Sequence, residues 1–153
     1  MLSLNLTSNL MNLLKFGRLF IMSDIQNWRI FEDNVRKLLE DLYKTTFLKD
    51  DFVKINGKTK KFDFVDSKNK IVGDSKYYSF TKTGKRPSAK FSILNEYIWL
   101  LQKLPLNWKK FIVIGKDEIL VKKYVDEYLP WLEGIKIYYS DGKNELKIIK
   151  DQI

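Results

Sequence analysis

The sequence predicts an α/β protein with a mixed central sheet flanked by helices, and three observations support that prediction. Of its 153 residues, 44% are hydrophobic and 14% aromatic, so one packed core in a single domain is expected. Short apolar runs of the kind found in strands follow one another between residues 52 and 78. Stretches with apolar residues at helical spacing separate the other strands, which gives the order α-β-β-β-α-β-α-β-β.

The first 22 residues differ in composition from the rest of the chain. They contain no acidic residue, and their only charges are Lys15 and Arg18. We interpret residues 1–22 as a leader or a mis-assigned start, with residues 23–153 as a single domain. A short amphipathic arm and a targeting segment are the alternatives. The counter-evidence is a set of apolar residues that could form a helix docked on the core: Leu13, Leu14, Phe16, Leu19 and Phe20.

The first helix of the domain is predicted to begin at an N-cap formed by Ser23 or Asp24 and to end near Phe47. Its apolar positions recur at helical spacing, as Trp28, Phe31, Val35, Leu38, Leu39 and Leu42 show. At about 100° per residue, Glu32 lies on the flank of that stripe. Glu32 is therefore the acid of this helix best placed to face a site at the core.

A three-stranded antiparallel meander is predicted next. Residues 52–55 pair with residues 58–65 through Asn56-Gly57, a dipeptide typical of a type I′ turn. Residues 71–78 form the third strand after a two-residue turn at Lys68-Asn69.

The second half of the chain indicates parallel pairing. Residues 79–87 form a loop, residues 88–104 a strongly apolar helix and residues 111–115 a buried strand. The step from the preceding strand through this helix implies a right-handed parallel crossover. The remaining predicted elements are a helix over residues 117–129, ended by Pro130, and a hairpin of residues 135–139 and 145–149.

Two aspartates and a lysine converge in the predicted meander. If the residues flanking its second turn pair with each other, counting back along both strands places Asp63 directly opposite Asp74. Like charges directly opposite in a sheet destabilise it, so a positive group is expected between them. Strand alternation places Lys76 on the face of Asp74, with Ser75 on the other face. Two carboxylates and an ammonium on one patch suit a Mg²⁺ site with a positioned nucleophile.

The composition narrows the chemistry of such a site. The net charge is +9, which favours polyanions, nucleic acid first and an anionic membrane surface second. The chain has no cysteine and no histidine, which excludes disulfides, thiolate or imidazole zinc sites and nucleophile systems that depend on histidine. The groups left for acid–base chemistry and metal binding are carboxylates, lysines and tyrosines, which suit Mg²⁺ or Mn²⁺.

A basic run without any acid follows the predicted third strand. Its cationic members are Lys82, Lys85, Arg86 and Lys90. We expect this run to clamp the phosphates of a nucleic acid at the mouth of the site. Lys90, in the first turn of the following helix, could also reach the site itself.

The element order and its acids resemble the PD-(D/E)XK nuclease superfamily, which has the restriction-endonuclease-like αβββαβ core. The resemblance covers about residues 24–139. Asp74-Ser75-Lys76 matches the (D/E)-x-K element, and Asp63 matches the lone acid of the motif. Phe62 rather than proline precedes Asp63, at a position that varies widely in the family. Glu32 matches the first-helix acid of many members.

The resemblance implies roles for these residues. Asp63 and Asp74 would hold Mg²⁺, with Mn²⁺ able to substitute, helped by the carbonyl of Ser75. Glu32 would add an outer or second-metal ligand. Lys76 would orient or deprotonate the attacking water and offset the charge of the phosphate.

We therefore expect a Mg²⁺-dependent DNA endonuclease that acts in the cytoplasm without membrane contact. Two cuts per site would favour a homodimer. The alternatives are a Holliday-junction-resolvase-like enzyme and a nucleic-acid-binding protein on the same fold that does not cut. A basic adaptor at a protein or membrane surface, using residues 1–22, is a third class. The intact set of acids and lysine favours the enzyme over the protein that does not cut.

Overall fold

The computed structural model describes the backbone of residues 2–153 and the side chains of residues 10–15 and 26–153. It contains three α-helices, a short 3₁₀ helix and seven strands in these residues. The helices are α1 Leu2–Tyr43, α2 Ser88–Gln102 and α3 Glu118–Tyr128, with the 3₁₀ helix at Leu129–Trp131. The strands are β1 Asp51–Ile55, β2 Lys58–Phe62, β3 Phe64–Asp66, β4 Ile71–Tyr78, β5 Lys109–Lys116, β6 Lys136–Ser140 and β7 Leu146–Lys150.

A five-stranded mixed sheet forms the centre of the protein, in the order β3-β4-β5-β6-β7. The inner strands β4, β5 and β6 run parallel, while β3 and β7 pair antiparallel at the two edges. Parallel neighbours need a crossover, and α2 and α3 supply the two crossovers. The predicted α/β class, the mixed sheet and the parallel step from β4 to β5 are confirmed.

Helices cover the two faces of this sheet with separate apolar clusters. On one face, α1 packs Phe31, Val35 and Leu39 against strand residues such as Phe111. On the other face, residues of α2 and α3 pack against Ile112 and its alternate neighbours. The central strands are therefore buried on both faces, which explains their continuous apolar runs.

The predicted three-stranded meander is wrong in one respect. The first hairpin forms as expected, because Asn56 and Gly57 both take positive φ values, of 48° and 85°, as a type I′ turn requires. The chain then bends at Asp63, so β1 and β2 form a sheet of their own while β3 joins β4 in the main sheet. The second turn spans residues 67–70 rather than two residues, but the register between β3 and β4 is the predicted one.

The first helix begins much earlier than predicted. It is continuous from Leu2 to Tyr43, so Ser23 and Asp24 lie within the helix and do not cap it. Leu13 and Leu14, which could have docked on the core, are 69% and 63% exposed. The same prediction for Phe16, Leu19 and Phe20 lies outside the described side chains.

The remaining predicted elements are present with ends that move by one to three residues. The predicted helix over residues 117–129 has Asp117 as its N-cap, which accepts hydrogen bonds from the backbone N–H groups of Ile119 and Leu120. Within residues 2–153, none of the helices combines the length and the apolar character that crossing a membrane requires.

Candidate active site

The two predicted aspartates are neighbours across the β3–β4 ladder. Phe64 pairs with Gly73, so the next residues outward along the two strands are Asp63 and Asp74. The backbone N–H of Asp63 donates to Oδ1 of Asp74 at 3.1 Å. The geometry therefore brings together the two carboxylates that the sequence places opposite each other.

Asp74 is a buried carboxylate that is paired with Lys76. The residue is 2% exposed, and its Oδ2 accepts from the ammonium group of Lys76. Burial raises the pKa of Asp74 to about 7, against the opposing attraction of Lys76 and with a further upward contribution from Asp63. Burial by itself lowers the pKa of Lys76, but its contacts with Asp74 outweigh this and hold the pKa above its ordinary value.

The ammonium group of Lys76 is also held by an aromatic ring from the next helix. Its Nζ lies 3.9 Å from the ring centroid of Tyr97 on α2, within the range of a cation–π contact. Lys76 shares this face of β4 with Asp74 and Val72, and Val72 belongs to the cluster under α2. The expected common face of Asp74 and Lys76 is thus the one that α2 covers.

The carboxylate of Asp63 caps the edge of β4 just beyond the end of β3. Its Oδ2 accepts from the backbone N–H and from the hydroxyl of Ser75, both at 2.9 Å. In a strand the N–H and C=O of one residue point to the same edge, as the paired bonds of antiparallel ladders show. The carbonyl of Ser75 therefore points to the edge that carries Asp63.

The helix acid Glu32 reaches this edge from α1 through an arginine. The guanidinium of Arg36 donates to Oε1 of Glu32 at 3.1 Å and to the backbone carbonyl of Asp63 at 2.9 Å. Burial raises the pKa of Glu32, with a further increase from the Asp63 charge that Arg36 partly offsets. Glu32 thus lies in the electrostatic range of Asp63, but on the layer that α1 forms, across the sheet from Lys76.

The donors suit a hard cation, although they are not arranged around one. Among the side chains that the structure describes, no three acidic residues form a metal-binding group. Both oxygens of Asp74 accept hydrogen bonds from the protein, whereas Oδ1 of Asp63 and Oε2 of Glu32 have no partner in the described part of the chain. Carboxylate and carbonyl oxygens are the ligands that Mg²⁺ prefers.

The predicted phosphate clamp is only partly available. Lys82 and Lys85 are exposed and form no ion pair with any described residue. Arg86 instead contacts α3, where it pairs with the carboxylate of Glu127 at 2.6 Å and contacts the hydroxyl of Tyr128. Lys90 is exposed, and its Nζ lies 5.2 Å from the ring centroid of Tyr78, the last residue of β4. Three of the four cations, Lys82, Lys85 and Lys90, therefore have no charged partner among the described residues, whereas the charge of Arg86 is offset.

Sequence reasoning missed Arg36, Tyr97 and Lys60. Arg36 follows Glu32 by one helical turn next to Val35, and a charge beside a core position is a detectable signal of a buried ion pair. Nζ of Lys60 lies 4.6 Å from the ring centroid of Tyr97, and Lys76 contacts the same ring. No local pattern indicates that these two lysines approach one ring, because the contact joins three separate elements.

A cavity elsewhere in the protein is not part of this arrangement. It has a volume of about 550 Å³ and lies between α2 and the 3₁₀ helix, with Trp99 and Trp131 among its lining residues. Neither aspartate of the candidate site lines it. The candidate site lies instead at the edge of β4 beyond the end of β3.

Comparisons of the chain with protein-family models, with curated proteins and with solved structures find no match.

Proposed function

We propose that the protein is a Mg²⁺-dependent DNA endonuclease of the restriction-endonuclease-like type. The observation that supports this most is the buried Asp74 next to Asp63, with Lys76 ion-paired to Asp74 on the same strand. This set of groups has the chemistry needed at a phosphodiester, namely two metal-binding carboxylates and a cation. The proposal includes a homodimer, because cutting both strands of a duplex needs two sites. It also includes a location in the cytoplasm.

In this proposal each residue has a defined role. Asp63, Asp74 and the carbonyl of Ser75 would hold the metal, and Glu32 would add an outer ligand. Bound Mg²⁺ supplies charge neutralisation at the phosphate and lowers the pKa of a bound water. Lys76, whose ammonium group pairs with Asp74, would orient the attacking water and stabilise charge on the phosphate. Its contact with Tyr97 would hold the ammonium group at the site.

A nucleic-acid-binding protein that does not cut is the second candidate. Contacts within the protein favour this candidate, because they already pair both acids. Lys76 forms an ion pair with Asp74, and Ser75 donates two hydrogen bonds to Oδ2 of Asp63. In that case the acid pair would have a structural role at the bend between β2 and β3.

A cleavage assay distinguishes the two candidate functions. Plasmid, branched DNA and single strands are incubated with the wild-type protein and with Asp74→Asn, each in Mg²⁺, Mn²⁺ or EDTA. As a matched control we choose Asp126→Asn, because Asp126 is an exposed acid on α3. We expect metal-dependent cleavage that Asp74→Asn lowers by at least about 100-fold and that Asp126→Asn leaves unchanged.

Two results would contradict this proposal, the first its site and the second its activity. If Asp74→Asn cut as fast as the wild type, the assigned site would be wrong. If the wild-type protein bound DNA but cut none of the substrates in either metal, the non-cutting candidate would replace the enzyme. The preferred DNA form in the same assay distinguishes a restriction-type enzyme from one that resolves Holliday junctions.

A further inference from the structure

The β1–β2 hairpin has two chemically different faces. Its buried side chains, Val53 and Ile55 on β1 and Phe62 on β2, join the cluster beneath α2. Because Ile55 pairs with Lys58 and Val53 with Lys60, both of these lysines lie on that same inner face. The outer face carries other lysines of the same hairpin, Lys54 and Lys61.

The inner face leads directly into the candidate active site. Nζ of Lys60 lies 4.6 Å from the ring centroid of Tyr97, and Nζ of Lys76 lies 3.9 Å from the same centroid. Phe62 fixes the position of that ring through an edge contact at 6.0 Å between centroids. One aromatic ring therefore links the cations of the hairpin to the ammonium group that pairs with Asp74.

No acid among the described side chains offsets the charges of Lys58 and Lys60 on the inner face. Lys58 and Lys60 form no salt bridge with any described residue. On the outer face, Lys61 pairs with Asp50 at 3.0 Å, while Lys54 forms no salt bridge with a described residue either. Side chains two residues apart in a strand are about 7 Å apart, so two such ammonium groups can neutralise different phosphates of one strand. The inner face thus presents a short row of cations that ends at Lys76.

We propose that Lys58 and Lys60 bind the phosphate backbone of DNA and guide the strand toward Asp74, an inference that rests on the proposed nuclease function. The hairpin is then one wall of the DNA-binding groove, and the exposed loop with Lys82 and Lys85 extends it beyond the end of β4. The positive groups on the outer face of the hairpin take no part.

A pair of double variants tests the inference on the full chain. Lys58→Gln with Lys60→Gln removes two charges from the inner face, and Lys54→Gln with Lys61→Gln removes two from the outer face. Binding of a labelled DNA duplex is measured in EDTA over a series of salt concentrations. Each lost phosphate contact flattens the slope of log affinity against log salt by about 0.9, so the inner variant should lose about 2 units of slope. The outer variant should keep the slope of the wild type.

Further measurements make each outcome decisive. Lys58→Arg with Lys60→Arg keeps the charges and should restore the slope, and thermal melting checks that every variant is folded.

Equal slopes for the inner and outer variants would overturn the inference while DNA binding itself still stood. A wild-type protein with no salt-sensitive DNA affinity would overturn the proposed function together with the inference. Tighter binding of duplex RNA than of DNA would assign the hairpin to RNA and overturn the DNA-binding role. Loss of slope in a protein that binds and never cuts would support the hairpin and contradict the nuclease.

Discussion

At the scale of a single residue, two features of the surroundings of Asp74 have opposite effects on the charge of its carboxyl. Its carboxyl is 2% exposed, and burial disfavours its charge. Lys76 opposes that effect, and Asp63 reinforces it. Acids whose pKa is shifted by burial and by charged neighbours are frequent at functional sites. The arrangement also makes the stability of the fold depend on pH.

In the absence of divalent metal, we expect Asp74 to lower the stability of the fold as the pH rises from about 4 to about 7. Its pKa is about 7 in the folded chain against 3.8 as the ordinary value, so the folded state binds the proton more tightly. The resulting stabilisation is complete below the lower pKa and is lost as the pH rises through the higher one, by up to about 1.4 kcal/mol per pH unit.

Asp74→Asn removes this contribution, so its unfolding free energy should fall less steeply than that of the wild type between pH 5 and pH 7. Urea denaturation in EDTA at several pH values measures both slopes. Asp126→Asn, an exposed acid, should retain the wild-type slope. Parallel curves for wild type and Asp74→Asn would show that Asp74 is ionised throughout the range.

The sequence was sufficient for part of the site and insufficient for the rest, for a physical reason. Strand alternation and pair counting depend only on local spacing, so Asp63, Asp74 and Lys76 could be placed without a structure. The role of Arg36 could not, because it depends on the backbone carbonyl of Asp63, 27 positions away in the chain. Contacts of this kind depend on how α1 crosses the sheet, which no local pattern specifies.

At the scale of the element, Gly73, the residue before Asp74, allows β4 to pack closely against a ring of the neighbouring strand. A Cβ atom on Gly73 would lie 2.2 Å from Cε2 of Phe111, whose ring lies on the neighbouring strand. That ring is fully buried and stacks with Tyr43 and Phe64. The missing side chain therefore lets an aromatic ring lie directly on the strand that carries the site.

We expect Gly73→Ala to destabilise the protein by about 1–3 kcal/mol, because the ring of Phe111 must move away from a well-packed position. Chemical denaturation measures the loss. The double variant with Phe111→Leu should be less destabilised than the sum of the two single variants, since the smaller side chain leaves room for the new methyl group. Additive effects would show that the new methyl group and Phe111 do not clash.

The division of the predicted meander shows where element prediction fails. Two hairpins could be predicted because Asn56-Gly57 and the second turn are local signals. The bend at Asp63 is a tertiary effect: Arg36 binds its carbonyl, Ser75 binds its carboxylate, and Asp74 accepts its N–H. Those contacts turn the chain out of one sheet and into another, which places the acid at an edge instead of inside a ladder.

At the scale of the whole molecule, two layers of helices enclose the sheet and leave the site at one edge. The parallel strands β4, β5 and β6 follow from the alternation of strands and helices in the sequence. Which layer covers which face does not follow from it, because both helical layers present similar apolar stripes. This explains why the predicted proximity of Glu32 to the other acids holds only in part, since α1 lies across the sheet from Lys76.

The last prediction concerns the first part of α1. Among the described side chains, close packing of this helix on the sheet begins at Phe31, which is 3% exposed, while Leu10 and Leu14 are more than 60% exposed. Residues whose side chains bury little apolar area contribute little to stability. From the exposure of residues 10–15, the described side chains ahead of Met22, we expect a chain that begins at Met22 to lose less than about 1 kcal/mol and to melt within about 4 °C of the full chain.

Phe31→Ala in the full chain is the matched positive control, because it removes a buried ring that contacts Tyr77 at 4.9 Å between centroids. It should cost about 3–5 kcal/mol. Thermal melting and size-exclusion chromatography of both proteins give the comparison, and the cleavage rate of the shortened chain should equal that of the full chain. A shortened chain that melts many degrees lower, or that aggregates, would show that residues 1–21 pack as part of the folded domain and would contradict their interpretation as a leader.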